Sequence, residues 1–212
     1  MRKNVIEFAR IVSSTLETVE PVYEFGSLQV KGQVGFADLR PLFQSKNYVG
    51  CDMQQGPGVD MIIDLHKIEL ESESVGTVLC FDTLEHVEYP RKAMGELYRI
   101  LKPEGMIAIS SVMNFPVHGY PNDYWRYTPA GFESLLSPFK SCYVQYQGLA
   151  CFPHTIAGVG QKGRSGFPEE FLRRAEKWHH SDLRSFRQWI LLSTPPVFVP
   201  ILTRLYNRLM RR

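Results

Sequence analysis

No two of the four cysteines, Cys51, Cys80, Cys142 and Cys151, are spaced C-x-x-C. That excludes the common thiol-redox and zinc-ribbon patterns and leaves reduced thiols, as expected of a cytoplasmic protein. No window holds the ~18 uninterrupted apolar residues of a membrane-spanning helix. The longest candidate, residues 189–202, is interrupted by Pro195, Pro196 and Pro200. Met1-Arg2-Lys3-Asn4 leads into a pattern broken by Glu7 and Arg10, which is not the apolar core of a signal peptide. The chain has no internal repeat and no G-x-G-x-x-G, so a dinucleotide pyrophosphate finds no glycine-lined backbone and a nicotinamide oxidoreductase is disfavoured. An excess of either charge is also lacking, the net being +2. Residues 1–162 carry 14 basic and 18 acidic side chains, residues 163–212 carry 10 and 4, so the basic excess sits in the tail. The main body therefore shows no nucleic-acid footprint.

What is present is an ordinary globular composition. Hydrophobic residues make up 44% of the 212, enough for a sizeable core in one domain with an appendage. Val5, Phe8, Ala9, Val12 and Leu16 recur at helical spacing and predict an amphipathic helix over 4–18, ended before Pro21. Val22–Phe25 reads as a short strand breaking at Gly26. Asp38 predicts the cap of a helix carrying Leu39, Leu42 and Phe43, with Pro41 in its first turn. Tyr48–Asp52 and Met61–Asp64 are a second and a third strand, each ending in an acid. Val75–Phe81 is an apolar run of the kind found in a buried parallel strand, and it stops abruptly at Asp82, Glu85 and His86.

Pro90 starts a helix with Ala93, Met94, Leu97, Ile100 and Leu101 on its buried stripe, ended by Lys102-Pro103-Glu104-Gly105. Met106–Ser110 is a fifth strand. Residues 113–127 form a loop crowded with aromatic and polar side chains, and Thr128-Pro129 caps a helix bearing Phe132, Leu135, Leu136 and Phe139. Residues 143–146 and 155–159 are closing strands. Alternating strands and helices predict an α/β fold around a mostly parallel sheet.

In such a sheet, ligands gather beyond the carboxyl ends of the strands. Glu24, Asp52, Asp64 and Asp82 all lie at or near such ends. Gly26 lets backbone approach a ligand closely. Asp52, at the end of the next strand, is placed to accept hydrogen bonds from a ribose diol, and Asp64 to meet an adenine amino group. The layout suits a nucleoside-bearing cofactor without a pyrophosphate.

These residues resemble the core of the class I S-adenosylmethionine-dependent methyltransferases, of the small type 11 kind. The matches are Glu24-Phe25-Gly26, Gly50-Cys51-Asp52, Phe81-Asp82-Thr83-Leu84-Glu85-His86-Val87, and Tyr98-Arg99-Ile100-Leu101-Lys102-Pro103-Glu104-Gly105. The family's glycine-rich loop departs here, with Leu28 and Val30 where later glycines stand. The resemblance covers residues 20–160. It implies a Rossmann-like, doubly wound, mostly parallel seven-stranded sheet with helices on both faces. It also implies S-adenosylmethionine as cofactor. By resemblance, Glu24 and Gly26 face its methionine end, Asp52 binds the ribose, Met53 flanks the adenine, and Asp64 and Leu65 meet the adenine edge. Phe81, Asp82 and Thr83 line the pocket near the methionyl amine, largely through backbone.

The cofactor supplies an electrophilic methyl group, so the protein has to hold a nucleophile in line with it. His86 is the candidate base for an acceptor hydroxyl, since imidazole suits proton transfer near neutral pH. His118, Asp123, Tyr124 and Arg126 are the candidate acceptor-site residues. His179 and His180 are adjacent in sequence, and no metal site is read there. The implied function is methyl transfer to a small-molecule acceptor, for which a sugar or lipid-linked precursor is the expectation.

Residues 1–162 thus form the methyltransferase domain and residues 163–212 a basic C-terminal helical extension. Phe171, Ala175 and Trp178 begin one helix or a broken pair reaching Ser193. Within 195–212, Phe198, Ile201, Leu202, Leu205, Tyr206 and Leu209 make an apolar face beside Arg204, Arg208, Arg211 and Arg212. That face suits packing on the domain, a second copy in a homodimer, or peripheral contact with a membrane surface. The rival reading is a non-catalytic module of the same fold that engages a membrane or protein partner through this tail.

Overall fold

The computed structural model describes residues 1–44, 47–119 and 121–181. Tyr120 and everything from residue 182 on, including the apolar and arginine-rich face within 195–212, lie outside the described residues. No helix among the described residues is long and apolar enough to cross a membrane.

In chain order the elements are α1 (Lys3–Thr15), β1 (Val22–Phe25), β2 (Tyr48–Asp52), β3 (Met61–Ile62), β4 (Val75–Phe81), α2 (Pro90–Ile100), β5 (Leu101–Val112), α3 (Pro129–Leu136), β6 (Ser141–Leu149), β7 (Phe152–Gln161) and α4 (Glu169–Ser181). The strands form one seven-stranded sheet in the order β3-β2-β1-β4-β5-β7-β6. The pairings from β3 through β5 are parallel, and β7 runs antiparallel to both β5 and β6. The expected Rossmann-like, mostly parallel sheet is therefore what the chain forms.

Burial follows the strand period of two. Along β4, every residue of which is buried, Val78 and Cys80 pack on one face with Ile107 and Ile109 of β5. α2 covers that face with Ala93, Met94, Leu97 and Ile100, and α3 with Phe132, Leu135 and Leu136. Leu79 and Phe81 pack on the other face with Ala108, Ala157 and Val159. There Val5, Phe8, Ala9 and Val12 of α1 meet Phe171, Ala175 and Trp178 of α4. Helices thus cover both faces. The Trp178 ring lies 5.0 Å from that of Phe8, and its indole N–H donates to the Asn4 carbonyl at 2.8 Å.

Three local expectations need correction. The helix predicted to follow Asp38 is a single 3₁₀ turn, Arg40–Leu42. Asp38 does accept a hydrogen bond from the Arg40 N–H at 3.1 Å, but Arg40 reaches away to Asp60 at 2.6 Å and the Gly58 carbonyl at 3.1 Å. With Leu39 and Phe43 already buried and β2 starting at Tyr48, no length remains for further turns. The third strand is two residues, both exposed, because Asp64 turns back on His66. Finally, Lys102–Gly105 does not end α2 as a separate turn. β5 begins at Leu101 opposite Val75, Met106 lies opposite Thr77, and the four residues between bulge from the ladder.

Candidate active site

A cavity of about 370 Å³ opens above the carboxyl ends of β1, β2 and β4. The strand order reverses between β1 and β4, so this is the crevice where an open parallel sheet takes ligands. All nine residues assigned to the cofactor line it: Glu24, Gly26, Asp52, Met53, Asp64, Leu65, Phe81, Asp82 and Thr83. Of those assigned to catalysis or the acceptor, His86, His118 and Tyr124 line it, whereas Asp123 and Arg126 stand behind it.

The floor is the turn after β1. Gly26 has φ +86°, and a Cβ there would lie 2.0 Å from the Thr83 hydroxyl oxygen. Only glycine fits this position. The N–H groups of Gly26 and Ser27 both donate to the Cys51 carbonyl. The Ser27 hydroxyl is buried without a partner among the described residues. Leu28 and Val30 form cavity wall.

Asp52 is oriented by the Leu28 N–H at 3.3 Å and the Gln54 N–H at 3.0 Å. Asp64 accepts from the His66 backbone N–H at 2.8 Å, which holds its carboxyl below the usual carboxylate range. Glu24 is 3% exposed and accepts from the Tyr48 hydroxyl at 2.7 Å. Burial pushes it up to about 7, against the Tyr48 hydrogen bond and the Arg40 charge.

Asp82 ends β4 in the left-handed region, at φ +46°. Its carboxylate is held by Arg2 (Nη2 to Oδ1, 2.8 Å; Nε to Oδ2, 3.2 Å) and by the Ser110 hydroxyl at 3.0 Å. Burial would raise its pKa, but the Arg2 guanidinium outweighs that and keeps it low. The side chain is thus engaged by protein, and its backbone N–H donates to the Ser110 carbonyl at 3.0 Å.

Glu85 follows in the 3₁₀ turn Leu84–His86 and is fully buried. Its Oε2 accepts from the Ser111 hydroxyl at 2.7 Å, and its Oε1 has no partner among the described residues. Burial, with the Asp82 charge nearby, pushes it up to about 7. His86 Nδ1 sits 2.5 Å from the Asn122 carbonyl oxygen and so carries the proton. The His118 ring lies 4.8 Å from that of His86 and 4.9 Å from that of Phe115. Asp123, at the back of the loop, is clamped by Arg126 in a two-pronged ion pair, which holds its carboxyl far below the usual range. Arg126 also donates to the Phe115 and Pro116 carbonyls, so the pair fixes the loop that carries His118 and Tyr124.

The sequence reasoning assigned no role to Arg2, Glu85 or Ser27. Glu85 carried a signal, being an acid one turn beyond a wholly buried, mostly apolar strand. Arg2 carried none, since only folding brings it to Asp82. His179 and His180, adjacent as they are, do bring their rings to 4.6 Å on α4; His179 hydrogen-bonds the Tyr146 carbonyl and His180 pairs with Glu176.

The fold and the switch-point cavity define a Rossmann-like protein with a ligand-sized crevice at the carboxyl ends of its parallel strands. Residues 39–109 match the methyltransferase-domain family. No curated protein matches the sequence. Among solved structures, the chain is similar to an S-adenosylmethionine-dependent methyltransferase of Thermotoga maritima. The TM-score is 0.53 and the identity 19%, over 75% of this chain and 89% of that one. It is also similar to the 1,6-didemethyltoxoflavin N1-methyltransferase of Burkholderia thailandensis, whose structure holds S-adenosylhomocysteine (0.58; 14%; 76% and 80%). A third similar structure is the YcgJ protein of Bacillus subtilis (0.51; 12%; 75% and 99%). At these identities the structural likeness speaks for the fold; the family match speaks for the domain. The chain thus has the fold of these methyltransferases, and residues 39–109 are the part that matches the methyltransferase-domain model.

Proposed function

We propose that this protein transfers the methyl group of S-adenosylmethionine to a small-molecule acceptor, a sugar or lipid-linked precursor being the class the aromatic and polar loop 113–127 suits. The observation that carries the reading is convergence. Residues from four separate strand ends, Glu24, Asp52, Asp64 and Asp82, open onto one cavity at the switch point.

The residues present fit the cofactor. The Asp52 carboxylate, oriented by two N–H groups, takes the ribose hydroxyls. Met53 flanks the adenine, and Asp64 and Leu65 meet its edge. Gly26 lets backbone close on the methionyl end, where the Ser27 hydroxyl and Glu24 supply polar partners. When bound, S-adenosylmethionine provides a methyl group already made electrophilic by its sulfonium. The rest is positioning and proton removal by this chain. The acceptor lies between the Leu84–His86 turn and the loop 113–127, where His86, its Nδ1 engaged by the Asn122 carbonyl, takes up a hydroxyl proton through Nε2.

Titration calorimetry with S-adenosylhomocysteine tests the reading. Binding in the micromolar range is expected, and Asp52→Ala weakens it about tenfold or more through loss of a charge-assisted pair of hydrogen bonds. A folded protein that shows no binding at millimolar ligand overturns the reading. Unchanged affinity in Asp52→Ala removes the ribose assignment alone.

A further inference from the structure

At the acceptor end of the cavity, Glu85, His86 and His118 each present one donor atom, and these atoms lie within 4.8 Å of one another. We propose that the three bind a divalent transition-metal ion such as Zn²⁺, Co²⁺ or Fe²⁺.

Four observations support this. Glu85 is wholly buried and its Oε1 has no partner among the described residues, a costly arrangement unless something else meets that oxygen. Its other oxygen is held by Ser111, so the carboxylate cannot simply swing to satisfy itself. Both imidazoles have Nδ1 engaged: His86 at the Asn122 carbonyl, His118 between the Pro116 carbonyl (3.2 Å) and the Asp123 carboxylate (3.1 Å). That fixes the tautomer and leaves Nε2 as the lone-pair nitrogen of each ring. Metal-binding histidines are supported in the same way, by a carbonyl or carboxylate on the second nitrogen. Asp123 is in turn locked by Arg126, so the supporting shell is itself anchored.

Two imidazoles and one carboxylate suit a borderline divalent ion and leave a coordination position open toward the cavity. Donors bound tetrahedrally at about 2.1 Å stand about 3.4 Å apart, so loading draws the widest pair together by at most about 1.4 Å. The ion's role rests on the methyl-transfer reading: an acceptor hydroxyl bound at the open position loses its proton more readily, and His86 then serves as ligand rather than base. Binding of the ion does not rest on that reading.

The test is Co²⁺ titration of the full chain, read by visible absorption and calorimetry, beside S-adenosylhomocysteine titration of the same sample. One equivalent of Co²⁺ with ligand-field bands is expected. Glu85→Gln and His118→Ala each weaken it tenfold or more while S-adenosylhomocysteine affinity stays within about twofold. Ser111→Ala weakens it about tenfold through the supporting shell. His180→Ala leaves this equivalent intact, which separates it from the Glu176–His179–His180 group on α4. Absence of saturable Co²⁺ binding, or binding that survives His118→Ala and disappears in His180→Ala, overturns the proposal. Metal binding without S-adenosylhomocysteine binding upholds the metal site and removes the methyl-transfer reading.

Discussion

Gly26 and Glu24, two residues apart, show how single positions set the terms of this site. At Gly26 the turn needs φ +86°, and the space a Cβ would take belongs to Thr83. Gly26→Ala is expected to lower the unfolding free energy by more than ~1 kcal/mol in a denaturant titration and to weaken S-adenosylhomocysteine binding, because strain and clash act together. Glu24 carries a raised pKa of about 7 against 4.5 for the unperturbed group. A carboxyl that binds its proton more tightly when folded contributes stability that is complete below pH 4.5. That contribution is lost as pH rises through 7. The loss amounts to about 3 kcal/mol for a shift of this size. Glu24→Gln keeps an acceptor for Tyr48 and removes the titration. Its stability should therefore fall less between pH 4.5 and 7.5 than that of the unaltered chain, as measured by thermal unfolding across that range. Both residues were legible in the sequence as a glycine and an acid at a strand end. Burial of Glu24 to 3% was not, because it depends on Tyr48 and Arg40 arriving from elsewhere.

Among the elements, the loop between β5 and α3 depends most on distant partners. It is stitched to the Leu84–Val87 turn by the Tyr124 and Trp125 N–H groups on the Glu85 carbonyl, and by the Trp125 indole on the Val87 carbonyl. The Tyr127 hydroxyl donates to the Leu84 carbonyl. Inside the loop, Arg126 ties both ends together by donating to the Phe115 and Pro116 carbonyls while it pairs with Asp123. Arg126→Ala leaves a nearly buried carboxylate without its main counter-charge, an expected loss of about 3 kcal/mol. The same variant should raise the acceptor KM while S-adenosylhomocysteine affinity stays within about twofold, a split seen by steady-state kinetics beside calorimetry. The sequence named Asp123 and Arg126 as acceptor residues from their density of charge and aromatic neighbours. The structure places them one layer behind, holding His118 and Tyr124 forward. Spacing along a loop cannot separate a side chain that faces a cavity from one that braces it.

At the scale of the whole molecule, α1 and α4 close the second face of the sheet although 153 residues separate Thr15 from Glu169 in the chain, counting between them. Trp178 is the joint: it is 3% exposed, packs on Phe8 and bonds the Asn4 carbonyl. Trp178→Ala removes a large buried ring and is expected to cost about 3–5 kcal/mol, read as a lowered unfolding midpoint. Because α1 also carries Arg2 to Asp82, the same change should weaken the cavity wall at that end.

Apolar runs that alternate or stay continuous, each stopped by an acid or a glycine, determined the strands, their parallel arrangement and the crevice at their ends. Those are local signals, and the period of two and the turn chemistry are written residue by residue. Tertiary structure alone decided that Arg2 neutralises Asp82 from 80 residues away. It alone also decided that Glu85 is buried with one oxygen unpartnered among the described residues, and that His118 lies beside His86. Each of these depends on contacts between segments remote in sequence. Such contacts form only once the two hydrophobic faces of the sheet are covered, and no pattern within one segment encodes them.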